Sequence, residues 1–301
     1  MAEDIVSLAW WNTSISPSSA RGRASNDELL FAFSLIAKLI DSYSVDIFCL
    51  GEVSPSDVSD LNGFFGNVGY YVYDGTYNDG RVKHDLCVLI NLNKFAYIDS
   101  KSIMEQSPLG KIRAGQELQL LHISSGDDLF LYISHWPSRS YDASEGMPKR
   151  LALGNALRNA MERCINDRKG KYFILAGDYN DEPFNHSMTH ALFASRDREL
   201  VSRNNGLLYN PFWRLLGAAL HYDNACNDSC AFGTYYYKSG TLTRWYTFDQ
   251  IMFSSSFLNG DKWILLEERI KIINDDSISN LILSNSTNFD HLPVLASVKR
   301  I

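Results

Sequence analysis

The stretch "FILAGDYNDEP" (173–183) places Asp178, Asn180, Asp181 and Glu182, four groups able to bind a cation or water, directly behind an apolar run. Similar groups mark other apolar runs: Asn12 closes "IVSLAWWN", Glu52 follows "VDIFCLG", and His135 lies in "LFLYISHW". Asp249 sits inside "YTFDQIMFSS", and Asp290 with His291 precedes the last run. Carboxylates plus an amide, with no thiolate, suit a hard cation such as Mg²⁺ (or Mn²⁺), which usually keeps several waters and takes few protein oxygens. Histidines beside carboxylates suit proton transfer and stabilisation of phosphoryl oxygens. Taken singly, most of these residues have ordinary readings. Glu52 could be a solvated strand end, Asn12 a turn cap, His135 a bonded core histidine, Asp290-His291 a turn, and Asp181-Glu182 a solvated pair leading into Pro183. Asp249 is harder to dismiss, because a carboxylate in an apolar run needs a partner. The set, rather than any member, carries the chemistry.

The elements that must position these groups are mostly strands. Short apolar runs predict strands at 5–12, 45–52, 70–75, 85–91, 117–123, 129–136, 172–177, 246–255, 263–273 and 291–300. Two long amphipathic patterns predict helices. In the first, 25–43, Ser25 with Glu28 three residues on reads as a capping box, followed by a stripe of Leu29, Leu30, Phe33, Ile36, Leu39 and Ile40. The second covers 148–168. Strands with a few crossover helices imply two mixed β-sheets packed face to face with helices outside, an α/β (α+β) four-layer sandwich. No repeat or low-complexity linker divides the chain, so one domain over 1–301 is expected, with a loop excursion at 205–243 that reads as a binding loop.

Composition bounds the rest. With 301 residues, 45% hydrophobic and 21% charged, the chain is ordinary globular protein. Its acidic start lacks the features of a signal peptide and no run is long enough to span a membrane, so a cytoplasmic protein with no membrane contact is expected. Of the five cysteines, Cys49, Cys87 and Cys164 lie in apolar or helical patterns and imply no disulfide framework. "HYDNACNDSC" (221–230) shows a single Cys pair and reads as a loop insertion rather than a zinc site. A net charge of −7 argues against binding nucleic acid through a broad basic field, but a local basic rim around a metal site would still serve a nuclease.

Six segments, in order, resemble the endonuclease/exonuclease/phosphatase superfamily with the fold of deoxyribonuclease I: "AWWN" (9–12), "DIFCLGE" (46–52), "YISHW" (132–136), "LAGDYNDEP" (175–183), "FDQIMFS" (248–254) and "NFDHLPV" (288–294). The resemblance implies that Asn12, Glu52 and Asp290 are metal-site residues, with Glu52 the principal ligand. It implies that Asp178 orients or deprotonates the attacking water and that Asn180 fixes that geometry. His291 resembles the histidine that contacts the scissile phosphate, Asp249 the carboxylate that pairs with it, and His135 a contact from the other side. Gly51 stands where the family often has Gln, and Phe289 where it often has Ser. Histidine at 135, where the AP-endonuclease branch has tyrosine, is similar to the deoxyribonuclease I and sphingomyelinase side. Segments 207–217 and 233–237 resemble an uncharacterised bacterial branch.

The chemistry is consistent with that likeness. A phosphodiester repels hydroxide, so a cation and donors from Asn180, His135 and His291 must stabilise the charge that develops at phosphorus. The implied activity is a Mg²⁺- or Mn²⁺-dependent endonuclease with a nucleic acid substrate. A phosphatase or phosphodiesterase on a small phosphoester and an inactive binding module are the alternatives. A polyphosphate phosphatase would want concentrated basic residues, and in sequence "RGR" (21–23), Arg81, Lys83, "KIR" (111–113) and Arg139 are scattered. Trp11, Trp136, Trp213, Tyr235, Tyr236, Tyr237, Trp245 and Tyr246 could stack on unpaired bases, with core packing the ordinary explanation for most aromatics.

Overall fold

The computed structural model describes residues 4–17, 22–79, 82–107, 110–139, 143–216, 233–284 and 286–301. Its first strands are β1 (Ile5–Asn12), β2 (Val45–Gly51), β3 (Tyr70–Asp74), β4 (Tyr77–Asp79), β5 (Val82–His84), β6 (Leu86–Asn91), β7 (Phe95–Ser107) and β8 (Gly110–His122). There follow β9 (Asp127–His135), β10 (Tyr172–Asp178), β11 (Ala194–Ser195), β12 (Leu208–Tyr209), β13 (Tyr235–Tyr236), β14 (Trp245–Tyr246), β15 (Asp249–Ser254), β16 (Trp263–Ile272) and β17 (Val294–Arg300). The α-helices are α1 (Asn26–Tyr43), α2 (Pro55–Phe65), α3 (Ala143–Arg168), α4 (Arg198–Ser202) and α5 (Asp276–Leu283).

The long strands form a six-stranded sheet, β16-β17-β1-β2-β6-β3, and a seven-stranded sheet, β11-β12-β15-β10-β9-β8-β7. Each is built around a parallel pair joined by a helical crossover: β1-α1-β2 in the first, β9-α3-β10 in the second. Strands alternate their side chains between faces. In β1, Val6, Leu8 and Trp10 point into the core between the sheets, while Ala9 and Trp11 point to the outer core beneath α1, α2 and α5. The other outer core lies under α3, through Leu153, Ala156, Leu157, Ala160, Met161 and Cys164. The expected four layers are therefore present.

Local rules explain the helix starts. Ser25 caps α1 by accepting from the Glu28 amide, while the Glu28 carboxylate accepts from the Ser25 amide at 2.8 Å. Its fully buried face is Ala32, Leu35, Ile36 and Leu39; of the expected stripe, Leu29, Phe33 and Ile40 also pack against this core, and Leu30, 66% exposed, falls outside it. Ser54 and Asp57 form a second capping box, opening α2, a helix absent from the sequence reading. Cys49, Cys87 and Cys164 are buried free thiols. Among the described residues no helix is long and apolar enough to cross a membrane.

Candidate active site

The two parallel pairs dictate where the polar groups meet. Parallel strands end at the same edge, so β1 and β2 deliver Asn12 and Glu52 there, and β9 and β10 deliver His135 and Asp178. Their antiparallel neighbours begin at that edge: β15 opens with Asp249, opposite Asp178, and the segment leading into β17 supplies Asp290 and His291. At Gly177 in β10 a Cβ would lie 2.3 Å from the Ser134 carbonyl oxygen, so only glycine lets β9 and β10 approach this closely beside Asp178. All eight residues expected at the site, Asn12, Glu52, His135, Asp178, Asn180, Asp249, Asp290 and His291, gather along this seam between the sheets.

Two histidine–carboxylate pairs flank it. His291 Nδ1 lies 2.7 Å from Asp249 Oδ2, and the other Asp249 oxygen accepts a 2.8 Å hydrogen bond from Trp10 Nε1. His135 Nδ1 lies 2.8 Å from Asp85 Oδ2, and Arg113 braces that pair by approaching Asp85 Oδ1 at 3.3 Å and donating to the His135 carbonyl at 2.9 Å. Burial opposes a charge on either ring, but the neighbouring carboxylates outweigh it. Asp249 with Asp178 lifts His291 to about 10, and Asp85 with Glu52 lifts His135 to about 9. Burial would likewise raise Asp85, yet His135 and Arg113 hold it down at about 2. The sequence reading missed Asp85. It is the last polar residue before the fully buried run of β6, the same kind of signal that marks Asp249.

Both rings aim their second nitrogen at one oxygen. Asp178 Oδ2 lies 3.7 Å from His291 Nε2 and 3.9 Å from His135 Nε2, and accepts from Asn12 Nδ2 at 3.1 Å. Asp178 Oδ1 accepts from the Asn180 amide at 2.9 Å. Distances of 3.7–3.9 Å exceed a direct hydrogen bond, so neither Nε2–H is spent on Asp178 and both can serve an oxygen bound in front of the three groups. Burial raises the Asp178 carboxyl above its usual range despite His291. One N–H of the Asn180 side chain is donated to the Trp136 carbonyl at 2.8 Å, which fixes the turn, while the Asn180 backbone amide serves Asp178.

The backbone is held in uncommon conformations here. Ser14, Glu52 and Asn180 have φ of 52°, 55° and 49°, in the left-handed region that costs a non-glycine residue roughly 1–2 kcal/mol. Hydrogen bonds fix the turn at Glu52: its carbonyl accepts from the Ser16 amide at 2.8 Å, and the next amide, of Val53, donates to the Asp85 carbonyl at 3.2 Å. Both departures from the family pattern have local explanations. A Cβ at Gly51 would meet the Trp10 ring at 3.0 Å, so Trp10, which anchors Asp249, fills the space of a larger side chain. Phe289 packs against Trp11 and Phe31, while Ser14 donates to Asp290 Oδ1 at 2.7 Å.

The donor set fits a hard divalent cation. Among the described residues the Glu52 carboxylate receives one weak hydrogen bond, from Asn12 Nδ2 at 3.4 Å, with His135 Nε2 3.7 Å away. Burial first, then the like charges of Asp290 and Asp85, raise its carboxyl, although both histidines oppose the rise. A carboxylate so placed would be stabilised by a cation, and Glu52, Asp290 and Asn12 are the residues whose oxygens could hold one. Asp178, Asp249 and His291 also bring ligand atoms within 4.8 Å of one another, but both Asp249 oxygens are already engaged by Trp10 and His291. That trio is therefore read as a histidine–aspartate pair beside a third carboxylate rather than a metal cage.

A cleft of about 840 Å³ opens over these residues. Lys83, Lys111, Arg113, Arg139 and Lys149 line it, so bases scattered in the sequence converge in space. Tyr235, Tyr237, Tyr246 and Phe248 also line it. Of the other candidate stacking residues, Trp11 and Trp136 are buried and Tyr236 and Trp245 pack on the outer core, as core packing would have it. Asp181-Glu182 is not the solvated pair the sequence suggests. Asp181 is buried against Arg150 at 2.8 Å and Arg139 at 3.3 Å, and Glu182 accepts from the Thr247 amide at 3.1 Å. The turn before Pro183 faces inward because two arginines and a backbone amide are there to receive it. Arg21, Arg81 and the segment 221–230 lie outside the described residues.

The sequence model of the Endonuclease/Exonuclease/phosphatase family matches residues 34–281. Among solved structures, the human Nocturnin catalytic domain with bound sulfate superposes with a TM-score of 0.66 at 17% identity, over 99% of this chain and 95% of that one. TDP2 of D. rerio, complexed with single strand DNA product, gives 0.61 at 15% identity over 98% of each chain. The mannosyl-6-phosphatase of Bacteroides thetaiotaomicron gives 0.63 at 16% identity over 98% and 99%. No curated protein sequence matches the chain.

Proposed function

Given that the chain belongs to the Endonuclease/Exonuclease/phosphatase family, whose enzymes are metal-dependent phosphoesterases, we propose that it hydrolyses phosphodiester bonds in nucleic acid as an endonuclease. The observation that supports this reading is the convergence of His135 Nε2 and His291 Nε2 on Asp178 Oδ2, at distances beyond a direct hydrogen bond that leave both N–H groups available to a bound phosphoryl oxygen. The seam offers a proton acceptor between two positively charged donors, which water attack on phosphorus requires. Asp178 takes the proton of the attacking water. Asn12 and the Asn180 amide hold that carboxylate in place. His291, oriented by Asp249, and His135, oriented by Asp85, each donate Nε2–H to phosphoryl oxygens as charge develops there. Proton transfer from one of them completes departure of the leaving oxygen. Glu52, Asp290 and Asn12 would hold a divalent cation, which would supply Lewis-acid polarisation of the phosphoryl group.

TDP2 bound to a single-stranded DNA product supports the nucleic acid reading, and the mannosyl-6-phosphatase shows the same fold named for a small phosphoester. The five bases around the cleft favour a second reading, a phosphatase acting on a small anionic ester. The deciding experiment offers single- and double-stranded DNA and RNA, circular and linear, with Mg²⁺ or Mn²⁺, to the wild type and to Asp178→Asn and His291→Ala. Metal-dependent cutting lost in both variants supports the nuclease. Phosphate release from small esters with no cutting of any polymer would replace it by the phosphatase.

A further inference from the structure

Four rings and a guanidinium form a continuous surface running outward from the seam. The His291 ring lies 4.6 Å from Tyr235, Tyr235 lies 5.3 Å from Phe248 at 18°, and Tyr246 lies 5.0 Å from Phe248 at 27°. Tyr235 and Tyr246 are directly opposite one another across the β13–β14 pair, so their rings share a face. The Arg139 guanidinium covers the far end, 4.7 Å from the Phe248 ring centre and 5.7 Å from that of Tyr246. Arg139 is fixed from behind by the Asn180 carbonyl at 2.9 Å and Asn185 Oδ1 at 3.0 Å, yet its side chain is 37% exposed.

This surface is joined rigidly to the catalytic groups. Tyr235 pairs with His291 in an isolated β-bridge, the Tyr236 amide donates to the Asp290 carbonyl at 2.8 Å, and the Leu292 amide donates to the Thr234 carbonyl at 2.7 Å. Thr234 Oγ1 in turn accepts from the Asp249 amide at 3.0 Å. Tyr235 and Tyr246 are half-buried rather than covered, and both line the cleft. Two aromatic faces and a flat cation, beginning beside the phosphate-contacting histidine, match the planar ring of a nucleobase. Lys83 and Lys149 are exposed around the cleft and can follow the phosphates of a strand whose bases turn toward the rings. A paired base cannot present its face to Tyr246 without leaving its stack, at a cost of a few kcal/mol.

Resting on the nuclease reading above, we infer that Tyr235, Tyr246 and Arg139 form a stacking subsite for one unpaired nucleobase adjacent to the scissile phosphate, which makes single-stranded nucleic acid the substrate. The test uses the full chain and three oligonucleotides: a single strand, the same strand with one abasic residue moved stepwise past the cut site, and the duplex. Wild type should cut the single strand in preference to the duplex and lose roughly 5- to 100-fold in kcat/KM at one abasic position. Tyr246→Ala should lose a similar factor on the intact strand and no longer distinguish the abasic one. Tyr246→Phe should keep the discrimination and Tyr246→Leu should not, which separates stacking from mere filling of space. Anisotropy of a labelled single strand in chelator, where no cutting occurs, should show the same ordering of affinities. Equal cutting of duplex and single strand, with Tyr246→Leu as discriminating as wild type, would overturn the subsite and leave the nuclease reading intact. Absence of all nucleic acid cutting would overturn both.

Discussion

Asp249→Asn separates the charge of the His291–Asp249 pair from its geometry. Asp249 is fully buried, with one oxygen taken by Trp10 Nε1 and the other by His291 Nδ1. An asparagine there must turn its oxygen to Trp10, because the opposite orientation sets two N–H groups against each other at a fully buried position. Its amide then donates to His291 Nδ1, which must give up its proton. The ring keeps Nε2–H but loses its charge, and a neutral donor is weaker than a charge-assisted one by about 1.5 kcal/mol, about tenfold in rate. Asp249→Ala frees the ring to rotate and should approach the loss of a transition-state donor, about 100-fold or more. The alanine variant also orphans the Trp10 N–H, costing about 1–3 kcal/mol in stability, whereas Asn keeps that bond. The assay is kcat and KM on a cleavable substrate, joined to histidine NMR of the metal-free protein. His291 should stay charged to about pH 10 in the wild type and lose that protection in Asp249→Asn. A wild-type kcat in Asp249→Asn, or a wild-type His291 titrating near the ordinary value of about 6.5, would refute the reasoning.

Three further outcomes follow from the same geometry. Glu52→Gln should weaken calorimetric Mg²⁺ or Mn²⁺ binding by on the order of tenfold or more, yet raise the Tm of the metal-free protein, because it removes a carboxylate whose ionisation burial opposes. A lower metal-free Tm would contradict the assigned strain. Asp85→Asn should reduce kcat about tenfold by removing the charged partner of His135 at 2.8 Å, and unchanged kinetics would remove His135 from the mechanism. At the opposite end of β9, burial would raise Asp127, but Lys262, Ser125, Arg300 and Trp263 hold it down at about 2. A depressed carboxyl stabilises the fold above its unfolded value of about 4, and that contribution, about 2 kcal/mol, is lost as pH falls from about 4 through about 2. Asp127→Asn should therefore flatten the dependence of unfolding free energy on pH in that window and leave kcat unchanged, as urea titrations at several pH values would show.

The sequence by itself determined the strands that build the site and the chemistry at their ends. β1, β2, β9, β10, β15 and β17 are buried on both faces, so they read as short apolar runs, and the recurrence of polar residues at the ends of several such runs, rather than any one of them, marked the site. Ser25 and Glu28 announced α1 because a capping box is local. Less was legible where a strand is half-covered. β7, at the edge of its sheet, mixes exposed Ile98 with buried Ile103, and its pattern shows no clean period. Only the tertiary structure decided which groups act together. Asp85 and His135 are 50 residues apart and Asp249 and His291 are 42 apart, and both pairings bridge the two sheets, arising from the packing of one sheet on the other rather than from sequence spacing. The same holds for Asp181, whose arginine partners come from other segments, and for the bases that meet around one cleft. Local backbone preference fixes an element within a few residues, whereas the charge state of a buried group depends on what the packed sheets bring within a few ångströms of it.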